Sequence, residues 1–435
     1  LICLIRHFRA LSRPARRLKA TSDDPDAHRW RLACTNFADH PRQTGPQRRA
    51  RRRSPWYGAA LVMRLLLAVF LVLHGLIHLM GFAKAFGYAQ LPQLVLPISR
   101  MMGALWLTAA LLLLAAAVAL FAAPRFFWAL GALGLLASQI VIISAWSDAR
   151  YGAALNLIAL FAVLYGAFAW GPFGLRAEYQ RHVRAGLARL TPAAPITDAD
   201  LAALPEPVAR YLRLVGVVGR PRIHGLRVRL TGRIRAAADA PWMPFTAEQH
   251  SFFAPPRRFF WMEATRARLP IDGLHVYDEG GASMRVKLLS LFPVVDQSGP
   301  AMTAAETVTL LNDMCVFAPA ALIDPAIRWR PIDPHSVEAT YTHGPHTVRA
   351  VLLFDDAGAL INFWSDDRPA LAPDGVTLLP QRWSTPIGEY RVQGPYRLAS
   401  RGEARYAAPT GDYAYIEFDG LEVTEIDPTR PHAAP

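Results

Sequence analysis

TVRAVLLFDDAGALINFW, Thr347 to Trp364, reads as two strands folded around a turn at Asp355–Gly358. Apolar residues flank a short Asp/Gly-bearing break, the signature of an antiparallel hairpin. The same signature extends in both directions. Upstream, SVEATYT (336–342) alternates, as does GLRVRLTGRIR (225–235), where Val228 and Leu230 interleave with Arg227 and Arg229. SMRVKLL (283–289) sets Met284, Val286 and Leu288 against Arg285 and Lys287. Downstream, GEYRVQG and YAYIEFDGLEVTEI close the chain. Alternation of period two places one set of side chains on each face of a sheet.

One helix interrupts these strands. In MTAAETVTLLNDMCVF, Thr303 and Glu306 have capping-box spacing, and Val308, Leu311 and Cys315 share a face. A second, leading helix is expected over 206–215. Val208, Tyr211, Leu212 and Val215 recur at helical spacing there, and Gly216 supplies a stop. The C-terminal half is therefore α+β, a large antiparallel sheet with one internal helix.

The N-terminal half differs. Four uncharged apolar runs, 65–83, 103–123, 126–147 and 151–175, each reach the roughly 20 residues that cross a bilayer. They predict a four-helix transmembrane domain over 63–175. A basic, Pro/Ala-rich linker follows at 176–196, then the β-domain over 197–426, with a disordered tail at 427–435. Gly134 and Ser138 give a small-xxx-small step for helix packing. Trp106, Trp128, Trp146 and Trp170 lie near segment ends, where an aromatic belt belongs. Arg64, Arg125, Arg176, Arg181, Arg184 and Arg189 gather on one side of the bundle, and Lys84, Arg100 and Arg150 on the other. The positive-inside rule then places both ends of the bundle, and the β-domain, in the cytoplasm of a multi-pass inner-membrane protein.

The net charge of +13 belongs almost wholly to residues 1–62, which hold 14 Lys/Arg and 4 Asp/Glu. This tail lacks a hydrophobic period and reads as disordered. Met63, the first methionine, stands directly before the first apolar run and is an alternative start. With the charge so confined, nucleic acid is not the expected partner; the bilayer and a lipophilic small molecule are. Cys3, Cys34 and Cys315 form neither a disulfide framework nor a C-x-x-C site, and no metal or cofactor is expected. The chain also lacks G-x-S-x-G, H-E-x-x-H and Walker motifs.

PEPVARYLRLVGVVGRPRI, MRVKLLSLFPVVDQSGP with its following helix, and VLLFDDAGALINFWSDDRP together resemble an uncharacterised bacterial family, a domain of unknown function. The resemblance covers most of 204–426. It implies a sheet similar to the open half-barrels of LolA-type lipoprotein carriers, which work outside the cytoplasm, against the loop-charge reading. HGLIHLMGFAKAFGY and ISRMMGALWLTAA more weakly resemble DoxX-like four-helix membrane proteins. The family supplies no catalytic residues.

Candidate sites follow from residue type. His74 and His78, four apart on one helix face, either hydrogen-bond across the bundle to Ser138, Gln139, Ser144 or Asn156, or hold a proton, quinone or metal. FFAPPRRFFWMEA, 252–264, is the densest aromatic stretch. It serves either as two-sided core or as one wall of a hydrophobic cavity lined by Trp261, Met262, Met284, Val286, Trp329, Trp364, Trp383 and Tyr390. In SDDRP, Asp366 and Asp367 offer a cation site or a solvated turn, and Arg368 a headgroup contact. His275, Asp278 and Glu263 are a weak acid/base set. Three functions result: a membrane-anchored binder of a lipid or lipophile, a membrane-surface enzyme acting on a quinone or lipid, or an interaction module of a membrane complex.

Overall fold

The computed structural model describes residues 55–191, 194–372, 374, 376–409 and 411–427. The expected tails at 1–62 and 427–435 therefore fall outside the described residues, except for 55–62 and 427. Four helices are long and apolar enough to cross a membrane: α1 (Pro55–Ala85), α2 (Arg100–Ala122), α3 (Pro124–Ser144) and α4 (Gly152–Ala169). Ser99 caps α2 by accepting from Met102 N at 3.2 Å, and Pro124 opens α3 without losing a hydrogen bond. Gly81 lets α1 approach α2 closely. A Cβ there would lie 2.2 Å from the Trp106 ring, which is why Trp106 is buried inside the bundle and not in an aromatic belt. Lys84 ties the loop before α2 through Leu94 O and Leu96 O.

The segment expected as a linker carries helix α5 (Leu175–Leu187). Leu175, Tyr179, Val183 and Gly186 form its buried face, packed on Phe252, Phe259, Trp261, Leu274 and Val276 of the sheet. Helix α6 (Glu206–Val215) ends at Gly216, whose φ of +82° is left-handed.

The β-domain begins with a meander: β1 (Gly225–Ile234), β2 (Met243–Phe253), β3 (Pro256–Arg266), β4 (Leu269–Asp278), β5 (Gly281–Leu288) and β6 (Phe292–Ser298). Helix α7 (Pro300–Val316) and a 3-10 turn at Pro319–Ile323 follow. Then come β7 (Ile327–Asp333), β8 (Ser336–His343), β9 (His346–Phe354) and β10 (Leu360–Ser365). A two-strand ribbon, β11 (Ala370–Leu371) with β12 (Leu378–Leu379), precedes β13 (Trp383–Ser384), β14 (Ile387–Gln393), β15 (Tyr396–Ala408) and β16 (Gly411–Glu425). The main sheet has 14 strands in the order β6-β5-β4-β3-β2-β1-β16-β15-β13-β10-β9-β8-β7, with β14 on β15. β16 pairs antiparallel with β1, Val228 opposite Val423, and so joins the two halves.

Helix α7 connects the two edge strands and packs against β5 and β6 on one side and β9 and β10 on the other. A helix can touch strands so far apart in one sheet only if the sheet curls around it. The sheet is thus an antiparallel half-barrel with α7 on its concave side. Every residue from Ala305 to Val316 is buried, including Val308, Leu311 and Cys315 at 0 % exposure. The capping box does not form. Gly299 is the N-cap residue, Thr303 Oγ1 donates to Gly299 O at 2.9 Å, and Glu306 turns inward to Arg258.

Candidate functional site

Strand alternation sorts the expected site residues onto two faces. On β3, Arg258, Phe260, Met262 and Ala264 look toward α7, while Phe259 and Trp261 pack under α5. Trp261 therefore lies on the opposite side of the sheet from Met262. On β5, Arg285 reaches Glu178 of α5, which leaves Met284 and Val286 on the concave face. Trp329 packs against the concave core from β7. Trp383 is buried there, 6.0 Å centroid to centroid from Phe363, and donates to Tyr415 Oη at 3.1 Å. Tyr390 packs against the same core and donates to Leu360 O at 2.8 Å. Trp364 follows the concave Phe363 and so faces outward. It lines a polar cleft of about 150 Å³ with Asp366, Asp367, Arg349 and Glu338. In that cleft Arg382 bonds Asp366 at 2.9 Å, and Asp367 accepts from Arg349 N at 2.7 Å.

The space expected as an open cavity between Met262, Met284, Val286 and Trp329 is occupied by α7. What holds α7 there is polar. Glu306, Thr309 and Asp313 fall on one helical stripe. Arg258 bridges the two carboxylates, with Nη1 2.9 Å from Glu306 Oε2 and Nε 2.6 Å from Asp313 Oδ2. Gln249 Nε2 donates to Asp313 at 2.8 Å. From the other half of the sheet, Arg368 donates to Thr309 Oγ1 at 2.8 Å and to Tyr406 Oη, sits 3.6 Å from Glu306, and stacks 4.5 Å over Trp383. Arg368 is thus engaged by internal partners. His275 Nδ1 lies 3.7 Å from Glu306, whereas Asp278 faces His182 and Glu263 faces Arg176, so that acid/base set is not assembled.

Burial alone would raise the Glu306 carboxyl. Contact with His275 and the charges of Arg258 and Arg368 outweigh it and hold the group well below the usual carboxylate range. Burial pushes Asp313 up, against the opposing pull of Arg258 and Gln249. Sequence pattern did not mark Glu306, Asp313, Arg258 or Gln249 as a set, because the pairing joins β2, β3 and α7 across the concave space. On the same side, Gln249 Oε1, Trp329 Nε1 and Tyr341 Oη are buried without a hydrogen-bond partner among the described residues. Buried polar atoms are ordinarily satisfied, by protein groups or by ordered water.

The bundle holds a second polar set. His78 Nε2 lies 2.8 Å from Ser138 Oγ, and His74 Nε2 3.0 Å from Asn156 Oδ1. Ser138 donates to Asn156 Oδ1 at 2.9 Å, and Asn156 Nδ2 donates to Gln139 at 2.9 Å. Ser138 donates its only hydrogen to Asn156, so it accepts from His78. Asn156 Oδ1 is an acceptor only, so His74 donates to it. The network thus places the proton of both imidazoles on Nε2. Both Nδ1 atoms remain buried without a partner. Ser144 stays apart and donates to Val141 O of its own helix. Among the described residues no group of three His, Cys, Asp or Glu side chains is placed to hold a metal.

Fold and site together define a class: four membrane-length helices followed by a half-barrel that encloses one helix. A family model described as a family of unknown function (DUF6544) matches residues 194–418. The chain belongs to this family. No curated protein matches it. Among solved structures, it is similar to a domain described as an outer membrane lipoprotein-sorting protein from Vibrio parahaemolyticus, at 11% identity and TM-score 0.29, covering 46% of this chain and 85% of that one. It is also similar to a DUF1329 family protein from Desulfovibrio piger ATCC 29098, at 10% identity and TM-score 0.31, covering 53% and 93%. A third is a LolA superfamily protein from Nitrosomonas europaea, at 10% identity and TM-score 0.24, covering 53% and 92%.

Proposed function

We propose that the protein is a multi-pass protein of the bacterial inner membrane whose cytoplasmic half-barrel binds a lipid or similar lipophile on its concave face. The binding surface comprises Met262, Met284, Val286, Trp329, Trp383 and Tyr390. The observation that carries this reading is the way α7 occupies that face. Apolar side chains surround it, yet its stripe of Glu306, Thr309 and Asp313 is held by ion pairs and hydrogen bonds. Displacing α7 separates Arg258 and Arg368 from Glu306 and Asp313, which is costly for buried charges, so the occupant in this reading carries an anionic or polar head that takes over those contacts while its chain lies on the apolar side chains. In this reading α7 yields as the lipophile enters.

The test is photo-crosslinking of the full chain in vesicles that contain a phospholipid with a diazirine on its acyl chain. Peptide mapping is expected to find adducts on the concave residues of β3, β5 and β7. Adducts confined to the four apolar helices would refute the reading.

A further inference from the structure

The β5–β6 hairpin stands out on the surface. Its tip and second strand read LSLFPVV, residues 289–295, and two of its large apolar side chains lie open, Phe292 at 41% and Val294 at 47% exposure. Leu269, at 37%, is exposed on the adjoining β3–β4 turn. The two turns are joined: Leu289 N donates to Pro270 O at 2.9 Å, and Ser290 bonds Asp272. This end of the sheet is also the end next to the bundle. Lys287 Nζ lies 5.2 Å from the ring of Phe168, in the last turn of α4, and Glu263 pairs with Arg176 at 3.7 Å just beyond that helix. Lys287 is two residues from the tip, and a strand advances about 3.3 Å per residue. The exposed apolar residues therefore sit at the level where the fourth span ends. Arg268, exposed in the neighbouring turn, adds positive charge.

We propose that the β5–β6 hairpin dips into the bilayer surface, with Phe292 and Val294 among the acyl chains near the headgroups and Arg268 at the phosphates. Leu288 pairs with Phe292, and Ile271 pairs with Leu288, so the inserted residues continue into the concave face as an apolar lip. The inference rests on the four helices crossing a membrane, not on any ligand in the half-barrel. Apolar side chains flanked by basic ones gain from both hydrocarbon burial and anionic lipid at this depth.

The test is nitroxide depth measurement on the full chain in phosphatidylcholine/phosphatidylglycerol vesicles, with Cys3, Cys34 and Cys315 replaced by alanine. Labels are placed at F292C, at V392C, which is 79% exposed on β14, and at L76C on the lipid-facing side of α1. The expected result is a label at 292 that collides with oxygen and is shielded from a nickel chelate, intermediate between 76 and 392. If F292C does not fold, V294C makes the same measurement. A label at 292 as open to the chelate as that at 392 overturns the proposal. If 76 is equally open, the membrane reading falls with it.

Discussion

Arg258 is the residue on which the concave core turns. Among the described residues it alone forms ion pairs with both Glu306 and Asp313, and its side chain is 8% exposed. Arg258→Ala strands two buried carboxylates and is expected to cost about 3–5 kcal/mol in denaturant unfolding of the β-domain. Arg330→Ala, which removes an exposed pair with Glu338, should leave the same transition unchanged. A second residue gives a pH signature. Burial pushes Asp272 up to about 6, assisted by Glu263 and opposed by the Ser290 hydrogen bond. The folded chain then holds a proton that the unfolded chain has released between pH 4 and 6. Its contribution is favourable below the unfolded pKa and is lost as pH rises through about 6. Asp272→Asn should remove this dependence and stabilise the protein at pH 7 by about 2–3 kcal/mol, read from unfolding midpoints across pH.

Among elements, α5 shows how a local pattern can be present yet read as something else. Leu175, Tyr179 and Val183 recur every four residues, but the flanking arginines and Pro/Ala composition made the segment look like a linker. Its seat needs Gly186, where a Cβ would come 2.4 Å from the Phe252 ring. Gly186→Leu should lift α5 from the sheet and open residues 175–187 to limited proteolysis while the strands stay protected. In the bundle, Asn156 joins His74, Ser138 and Gln139 at once. Asn156→Ala should lower the thermal midpoint in detergent more than Gln139→Ala, each lost bond costing on the order of 1 kcal/mol. The spacing of His74 and His78 made that face visible from sequence. The capping box at Thr303 misled because Glu306 finds a stronger partner in Arg258 than in a backbone amide.

At the scale of the whole molecule, the division into apolar helices and an antiparallel sheet was legible because both rest on short-range periodicity. Hairpins such as 347–364 announce themselves. The strand β15, YRLASRGEARYAA, does not, since its small and charged residues gain their place from β14 and β16 on either side. The β1–β16 pairing that joins the halves links residues from opposite ends of the domain, and no local signal encodes it. Which of Trp261 and Met262 faces inward also had to await α5 and α7, because both faces of β3 are covered. The loop arginines predict a cytoplasmic β-domain, so a green fluorescent protein fused after Pro435 should fluoresce in bacterial cells; a dark but exported fusion would reverse the orientation.

The central claim is that α7 gives way to a lipophile. Hydrogen exchange of the delipidated full chain in detergent, with and without added polar lipid extract, tests it most directly. The account predicts faster exchange across 303–316 on lipid addition, with β3 to β5 unchanged or slower. Unaltered protection of α7 while lipid is bound would contradict it.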